Sequence, residues 1–316
     1  MSRDVDRPRT AIARVPFTCG ELVQGTDADG GAFLVSSPID RAAEVRATVD
    51  GSGITGGPAG RPKALAAARR TLVALGCGSL GVRLEIRSDL PVGRGFGTST
   101  ADVVGAIAAT ARALGEELAP EAIARLAVAI EPSDGTMFPG LALGDGQTGN
   151  RWEVLGPAPA LGVVVLDFGG AVDTIAHHAR WPAASPGLTA LQARALDLVR
   201  RGVRGVDPAA IGAGATLSAL ANEALLPKPA LVETLELAAC LGALGVCAAH
   251  SGTALGLLLP PEPALAARAV AAARRSLPGL VDVWPARLVD GGVRVVPSPG
   301  TGPPRSVCSA APTTRR

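Results

Sequence analysis

A glycine-rich turn between an apolar strand and an apolar helix sets the strongest limit on how this chain can fold. The turn lies in the stretch Asp89 to Ile107, which reads "DLPVGRGFGTSTADVVGAI". Before it, Val82, Leu84 and Ile86 alternate with charged residues, and this period of two predicts a half-buried strand. After it, apolar residues recur with the period of a helix, which we expect to begin near Thr98.

This arrangement suits an anion. The first turn of a helix exposes unpaired backbone N–H groups and the positive end of the helix dipole, and glycines let a phosphate approach the backbone closely. The hydroxyls of Thr98, Ser99 and Thr100 can bind a phosphate oxygen or Mg²⁺. The residues alone equally allow an ordinary glycine-rich connector in which Thr98 or Ser99 caps the helix.

Two common nucleotide-binding motifs do not fit the stretch. A Walker loop ends in Gly-Lys followed by Ser or Thr, and the stretch contains no lysine. The dinucleotide-binding motif needs its glycines directly after the strand, whereas residues 88–91 intervene here. The spacing of Gly93, Gly95 and Gly97 also differs from GxGxxG.

A third pattern does fit, because the stretch resembles the phosphate-binding loop of the GHMP kinases, P-x-G-x-G-L-G-S-S-A-A. Phe96, Thr98 and Thr100 replace the Leu, the first Ser and the first Ala of that pattern, so the apolar residue and the hydroxyls are kept. The resemblance implies that the loop binds the phosphates of ATP. The residues concerned are Pro91, Gly93, Arg94, Gly95, Phe96, Gly97, Thr98, Ser99, Thr100 and Ala101.

Composition excludes several other classes of protein. The formal charge is +2, without a basic stripe, so we expect no nucleic-acid partner. The five cysteines form no CxxC pair and are odd in number, which argues against a disulfide framework and a structural zinc site and favours the reducing cytoplasm. No apolar run is long enough for a signal sequence or a membrane span, so we expect no membrane partner.

The order of elements predicts an α+β protein with two lobes and a cleft between them. We expect lobes at residues 11–156 and 157–297 and a disordered tail at 298–316, which is rich in Pro, Ser, Thr and Arg. The resemblance implies an N-terminal lobe like domain 2 of ribosomal protein S5 and a ferredoxin-like C-terminal lobe. The predicted strands are 11–17, 32–36, 43–49, 82–86, 163–167, 246–249, 254–259, 281–284 and 293–296. The predicted helices are 64–75, 98 onwards, 120–130, 187–201, 208–225, 228–241 and 263–275.

A second cluster places Glu131 and Asp134 at the end of a predicted helix. Carboxylates are unfavourable at a helix C-terminus, so a cation should compensate them. Mg²⁺ carried by ATP is one candidate, and a solvated acidic turn is the alternative. The resemblance implies that Glu131 binds the metal together with Ser99, and that Asp134 is the catalytic residue beside the substrate hydroxyl.

Two further motifs supply candidate substrate residues. In "TCGELVQG", Glu21 and Gln24 could hold an ammonium or hydroxyl group of a small polar substrate, or form a plain turn at the end of the first strand. In "HSGTALG", Ser251 and Gly252 occupy the place of the third GHMP motif, a glycine turn that closes on the phosphates. We interpret His250 as a structural hydrogen-bond partner.

Together, "CGELVQG", "PVGRGFGTSTAD", "EPSDGTMFPG", "DFGGAVDT" and "HSGTALG" resemble one subgroup of the family, the L-threonine kinases of cobalamin biosynthesis found with propanediol-utilisation systems. The resemblance implies an enzyme that uses ATP and Mg²⁺ to convert the hydroxy amino acid L-threonine to O-phospho-L-threonine. Two alternatives stay open. One is a kinase or decarboxylase of the same family that acts on homoserine, a mevalonate-type acid or a secondary-metabolite precursor. The other is a non-catalytic nucleotide-binding protein.

Overall fold

The computed structural model of the chain describes residues 8–170 and 185–297 of the 316. These residues form eleven strands, joined in one sheet, and seven helices. The mixed α and β class expected from the sequence is confirmed. The tail expected from residue 298, and the part of "DFGGAVDT" after residue 170, lie outside the described residues.

The centre of the sheet is a long antiparallel hairpin of β1 (Arg9–Thr26) and β2 (Ala32–Asp50). Two sequence predictions were wrong here, because β1 continues well beyond residue 17 and the two strands predicted within 32–49 are one strand. The register of the hairpin shifts three times between Pro16 and Val23, and these irregularities let β1 continue past the left-handed Gly20. Residues 17–25 are also buried throughout, so no alternation of polar and apolar residues marked the strand.

The other strands extend this hairpin on both sides. The order of the main sheet is β10-β7-β9-β8-β1-β2-β4-β3, while β11 pairs with β1 and β5 pairs with β2 and β6. The sheet thus continues across residue 157, where we predicted a boundary between lobes. The strands after β2 are β3 (Thr55–Gly56), β4 (Gly81–Arg87), β5 (Leu141–Gly144), β6 (Trp152–Gly156), β7 (Gly162–Asp167), β8 (Gly245–Ala248), β9 (Leu255–Leu259), β10 (Asp282–Arg287) and β11 (Arg294–Pro297).

Proline marks the start of most of the described helices, where its missing N–H costs nothing. Three predicted helix bounds were wrong by three residues or more. The helix expected to end at residue 201 continues to Gly205. The helix expected to reach residue 225 ends at 222, and the next begins at 231 instead of 228, because Pro227 and Pro229 interrupt the chain between them. None of the described helices has the length and apolar character needed to cross a membrane. The helices are α1 (Pro62–Ala74), α2 (Thr98–Ala113), α3 (Pro120–Val128), α4 (Pro186–Gly205), α5 (Pro208–Asn222), α6 (Leu231–Leu241) and α7 (Pro263–Ser276).

Helix α2 is the element that positions the glycine turn. It is buried along nearly its whole length and packs against β1 and β2 through small residues. At Gly105 an added Cβ would lie 2.6 Å from a methyl group of Val45, so a glycine is needed for this close approach. The tight contact fixes where α2 begins, and therefore where its N-terminus points.

We predict that Gly105→Val lowers the free energy of unfolding by roughly 2 kcal/mol or more, because overpacking forces α2 away from the sheet. Gly187→Val is the matched control, since an added Cβ at this helical glycine meets nothing within 4 Å. Urea denaturation of both variants checks the prediction. Equal stabilities would show that α2 can shift at little cost.

Candidate functional site

The glycine turn before α2 presents a bare helix N-terminus. Gly97 is the N-cap residue with φ +64°, and no side chain caps the helix. Gly95 is also left-handed, at φ +93°, and a Cβ there would collide with the side chain of Ala249. The two glycines therefore allow a backbone path, and a close approach to the neighbouring turn, that other residues could not adopt.

Backbone hydrogen bonds hold the turn in place from the side of β1. The N–H of Thr18 donates to the carbonyl oxygen of Phe96 at 2.9 Å, and that of Gly20 donates to Gly95 at 3.0 Å. The turn is thus attached to the central strand next to the motif that contains Glu21.

The loop between β8 and β9 holds the glycine turn from the other side. The N–H groups of Thr253 and Ala254 both donate to the carbonyl oxygen of Arg94, at 3.1 and 2.9 Å. Arg94 itself forms an ion pair with Asp167 at 2.5 Å. The turn therefore connects strands from both halves of the sheet.

A cavity of about 380 Å³ lies over the glycine turn. The first turn of α2 and the carboxylates of Glu131 and Asp134 line it. Its lining residues are Thr18, Glu21, Lys63, Val92, Gly93, Gly95, Phe96, Gly97, Thr98, Ser99, Thr100, Glu131, Pro132, Asp134 and Ser251.

Glu131 is a buried residue that lines this cavity, and it follows shortly after the end of α3. The Ser99 hydroxyl donates to one oxygen of its carboxylate, and the Lys63 ammonium donates to the other. The Lys63 ammonium therefore compensates the negative charge of Glu131 near the C-terminal end of α3.

Asp134 faces the same helix N-terminus. Its Oδ2 lies 2.8 Å from the point that a Cβ on Gly97 would occupy. Its backbone N–H donates to the hydroxyl of Thr100 at 3.4 Å. Burial, together with the charges of Glu21 and Glu131, raises the pKa of this carboxyl to about 7. A group with this pKa can accept a proton near neutral pH.

A second, smaller cavity of about 40 Å³ adjoins the first. Glu21, Pro132, Asp134 and Ser251 line both cavities, so they form the wall between the two. Gln24 lines only the smaller one. The two cavities thus meet at the carboxylates of Glu21 and Asp134.

A buried chain of hydrogen bonds orients Glu21. Its Oε2 accepts the backbone N–H of His250 at 2.8 Å and lies 3.2 Å from Nδ1 of the ring. Ser218 Oγ lies 3.1 Å from Nε2 and accepts the backbone N–H of Gln24 at 3.2 Å. Because Nδ1 also lies 3.2 Å from the carbonyl oxygen of Ala248, we assign the ring proton to Nδ1, which leaves Nε2 to accept from Ser218.

Lys228 supports the loop that carries Ser251. Its buried ammonium donates to the carbonyl oxygen of Gly252 at 2.8 Å. Burial lowers the pKa of this ammonium to about 8, against the opposing effect of the charges of Glu21 and Glu223. The ammonium group of Lys228 thus stabilises the loop between β8 and β9.

The structure brings most of the predicted site residues together. Glu131, Asp134, Glu21 and Ser251 line the large cavity along with most of the loop, whereas Gln24 lines only the small one. Four predicted residues line neither of these two cavities, namely Pro91, Arg94, Ala101 and Gly252.

Four residues that line the large cavity were not predicted from the sequence, namely Thr18, Lys63, Val92 and Pro132. The contact between His250 and Glu21 was not predicted either. Lys63 carried a usable signal, because it is one of only two lysines among 30 basic residues. The contact of His250 had none, since 229 residues separate it from Glu21 in sequence.

Ser99 and Glu131 fit a divalent cation that arrives with phosphates. A hydroxyl and a carboxylate are hard oxygen ligands of the kind that Mg²⁺ prefers, and nucleotide-bound Mg²⁺ needs only one or two protein carboxylates. Within residues 8–170 and 185–297, no three His, Cys, Asp or Glu side chains are grouped so that they could hold a metal ion.

A third cavity, of about 190 Å³, shares Lys63, Val92 and Ser99 with the large one. Asp102 lines it, buried, and forms an ion pair with Arg61 at 3.2 Å. Burial raises the pKa of Asp102 to about 6; Arg61 opposes this shift, and Glu131 adds to it.

Comparison with known protein families identifies two matching segments. Residues 63–139 match the family model described as "GHMP kinases N terminal domain". Residues 196–278 match the model described as "GHMP kinases C terminal". The first segment contains the glycine turn, Glu131 and Asp134.

The chain is also similar to individual proteins. It is 34% identical over 254 residues to the L-threonine kinase of Salmonella typhimurium, covering 79% of this chain and 83% of that protein. The fold is similar to the crystal structure of homoserine kinase from Cytophaga hutchinsonii, with a TM-score of 0.71, 18% identity, and coverage of 94% of this chain and 99% of that one. It is also similar to L. major mevalonate kinase in complex with R-mevalonate, with a TM-score of 0.64, 18% identity, and coverage of 92% and 100%.

We predict that Asp102 makes stability fall as pH rises. Its pKa of about 6 in the folded chain lies above the value of roughly 3.9 for an unfolded Asp, so the folded state holds the proton more tightly. The resulting stabilisation is present below about pH 4 and is lost as pH rises through about 6, by on the order of 2 kcal/mol.

Urea denaturation between pH 4 and pH 7 measures this contribution as the difference between the wild type and Asp102→Asn. The control is Asp50→Asn, because Asp50 lies half-exposed at the end of β2, where hydrogen bonds from Ser52 lower its pKa. Parallel pH profiles of the wild type and Asp102→Asn would contradict the prediction.

Proposed function

Because the chain belongs to the GHMP kinase family, as an ATP-dependent kinase of small molecules, we propose that it phosphorylates the side-chain hydroxyl of L-threonine. The product is O-phospho-L-threonine. The similarity to an L-threonine kinase over most of both chains supports this substrate.

The observation that carries the proposal is the position of Asp134 between two cavities. On one side lies the cavity with the bare helix N-terminus, and on the other lies the small cavity with Glu21 and Gln24. A phosphoryl donor and a small hydroxyl-bearing acceptor placed in these cavities would meet at Asp134. Phosphoryl transfer depends chiefly on such positioning and on neutralising charge.

At the donor end, the first turn of α2 with Gly95 and Gly97 binds the ATP phosphates through backbone N–H groups. Ser99 and Glu131 hold the Mg²⁺ that accompanies ATP, and this cation supplies charge neutralisation when bound. Asp134 orients the acceptor hydroxyl and accepts its proton, a role that its pKa of about 7 supports.

At the acceptor end, Glu21 binds the ammonium group of the amino acid. The backbone N–H and the ring of His250 hold the carboxylate of Glu21 in a fixed orientation at the wall of the small cavity. Gln24 and Ser251 add polar contacts to the same pocket. A substrate without an ammonium group would bring no positive charge to this buried carboxylate and should bind more weakly.

The proposed product fits one metabolic role. O-phospho-L-threonine supplies the aminopropanol linker of cobalamin in the subgroup that the sequence motifs resemble. We further propose that the lobes at residues 11–156 and 157–297 are functional halves that meet at this site.

We predict that Asp134→Asn lowers kcat by roughly 10²- to 10⁴-fold, because the amide cannot accept the hydroxyl proton. In the wild type, kcat/KM should fall as pH decreases below about 7, since protonation of Asp134 removes the base. The residual activity of the variant should lack this acid limb. Steady-state kinetics across pH measure both effects.

Asp50→Asn serves as the control, because Asp50 lies half-exposed at the end of β2 and lines neither cavity. A variant that changes only KM would make Asp134 a positioning group and not a base.

We predict that a screen of ADP release gives the highest kcat/KM with L-threonine among threonine, serine, homoserine and mevalonate. Glu21→Gln should raise KM for threonine at least tenfold and leave KM for ATP nearly unchanged, because the proposal places the ammonium group on Glu21 and the ATP phosphates on the first turn of α2. Preference for homoserine or mevalonate would favour another kinase of the family. ATP binding without turnover of any hydroxyl substrate would instead favour the non-catalytic alternative.

A further inference from the structure

The two lysines of this chain are unusual because arginine serves nearly everywhere else. Only Lys63 and Lys228 occur among 30 basic residues, and both lie at the proposed site. Lysine differs from arginine in carrying a compact point charge on a flexible stem, whereas the guanidinium group is a rigid fork. The two positions are therefore candidates for tasks that arginine performs poorly.

Lys63 lies where two cavities join. It is the second residue of α1 and lines both the cavity over the glycine turn and the adjoining cavity of about 190 Å³. Its side chain is 42% exposed, while that of Glu131, to which it donates, is only 4% exposed. A half-exposed cation thus contacts a buried carboxylate.

This contact conflicts with the proposed metal role of Glu131. Ser99 occupies one oxygen of the carboxylate and Lys63 occupies the other. A divalent cation bound to Glu131 would repel the adjacent ammonium group at this short range. ATP phosphates in the same cavity would offer that ammonium several anionic oxygens instead.

We propose that Lys63 is a mobile cation that neutralises Glu131 in the empty site and transfers to the nucleotide phosphates when the divalent cation binds Glu131. This inference rests on the proposed function, because it requires the nucleotide and its metal to bind in the cavity over the glycine turn. Lys63 then contributes to binding in both states, by preventing charge repulsion among the acidic residues of the empty cavity and by contacting the phosphates of the filled one.

The exchange explains why arginine is not used at this position. A guanidinium group forms paired hydrogen bonds to both oxygens of a carboxylate and would compete with Ser99 for Glu131. This stronger contact would oppose the binding of a metal to the same carboxylate. Lys63→Arg is therefore expected to bind Mg·ADP more weakly than the wild type although the charge is conserved.

Isothermal titration calorimetry with Mg·ADP tests whether Lys63 contributes to nucleotide affinity. Lys63→Met should weaken binding roughly tenfold or more, as expected for loss of a charge-assisted hydrogen bond to phosphate. Arg70→Met is the matched control, since it removes a positive charge from an exposed position of the same helix. Urea denaturation of each variant verifies folding. Wild-type affinity in Lys63→Met would overturn the inference.

Nuclear magnetic resonance tests the movement directly. Reductive methylation with ¹³C-formaldehyde keeps the positive charge of lysine, and this chain offers only Lys63, Lys228 and its N-terminal amine. The signal lost in Lys63→Met identifies Lys63. Mg·ADP should shift this signal while the other amine signals stay in place, and Glu131→Gln should alter it in the nucleotide-free protein.

The outcomes separate this inference from the proposed function. If calorimetry detects no Mg·ADP binding to the wild type, the proposed nucleotide site itself fails. If Mg·ADP binds, and Ser99→Ala weakens it, but the Lys63 signal does not move, the site stands and the inference about Lys63 is wrong.

Discussion

The site depends on the attachment of the glycine turn to both halves of the sheet by backbone hydrogen bonds. Thr18 and Gly20 donate to the turn from β1, and Thr253 and Ala254 donate to it from the loop between β8 and β9. These bonds determine where the N-terminus of α2 points. The packing of Gly105 against Val45 fixes the distance between the helix and the sheet. An anion site built in this way needs no basic side chain in the loop itself, because oriented N–H groups provide the positive potential.

The site is also a balance of buried charges. Four carboxylates, from Glu21, Asp102, Glu131 and Asp134, lie in or beside the joined cavities. Their mutual repulsion contributes to the raised pKa of Asp102 and of Asp134. The protein offsets this repulsion with Arg61 on Asp102 and Lys63 on Glu131, and places Lys228 near Glu21. The same negative potential favours cations, which suits both the divalent metal that accompanies a nucleotide and the ammonium group of an amino-acid acceptor.

Local chemistry could be predicted from the sequence, whereas contacts between distant segments could not. The glycine spacing and the helix end that carries Glu131 allowed a phosphate site with a cation nearby as one of two alternatives, and the resemblance to the GHMP kinases favoured it; the site stays a prediction. The course of β1 was mispredicted, because its irregular register and full burial hide the usual alternation. The pairing of Glu21 with His250 joins residues from distant parts of the chain and could emerge only from the order of the strands. β3, β5 and β6 were not predicted, because each has five residues or fewer and is too short to show a clear alternation.

The most direct measurement is a crystal structure of the protein with a non-hydrolysable ATP analogue, Mg²⁺ and L-threonine. The proposed function predicts the terminal phosphate at the N-terminus of α2, the metal on Ser99 and Glu131, and the threonine hydroxyl within hydrogen-bonding distance of Asp134. Its ammonium group should contact Glu21. A nucleotide bound outside the cavity over the glycine turn, or a threonine hydroxyl separated from Asp134 by packed side chains, would contradict it.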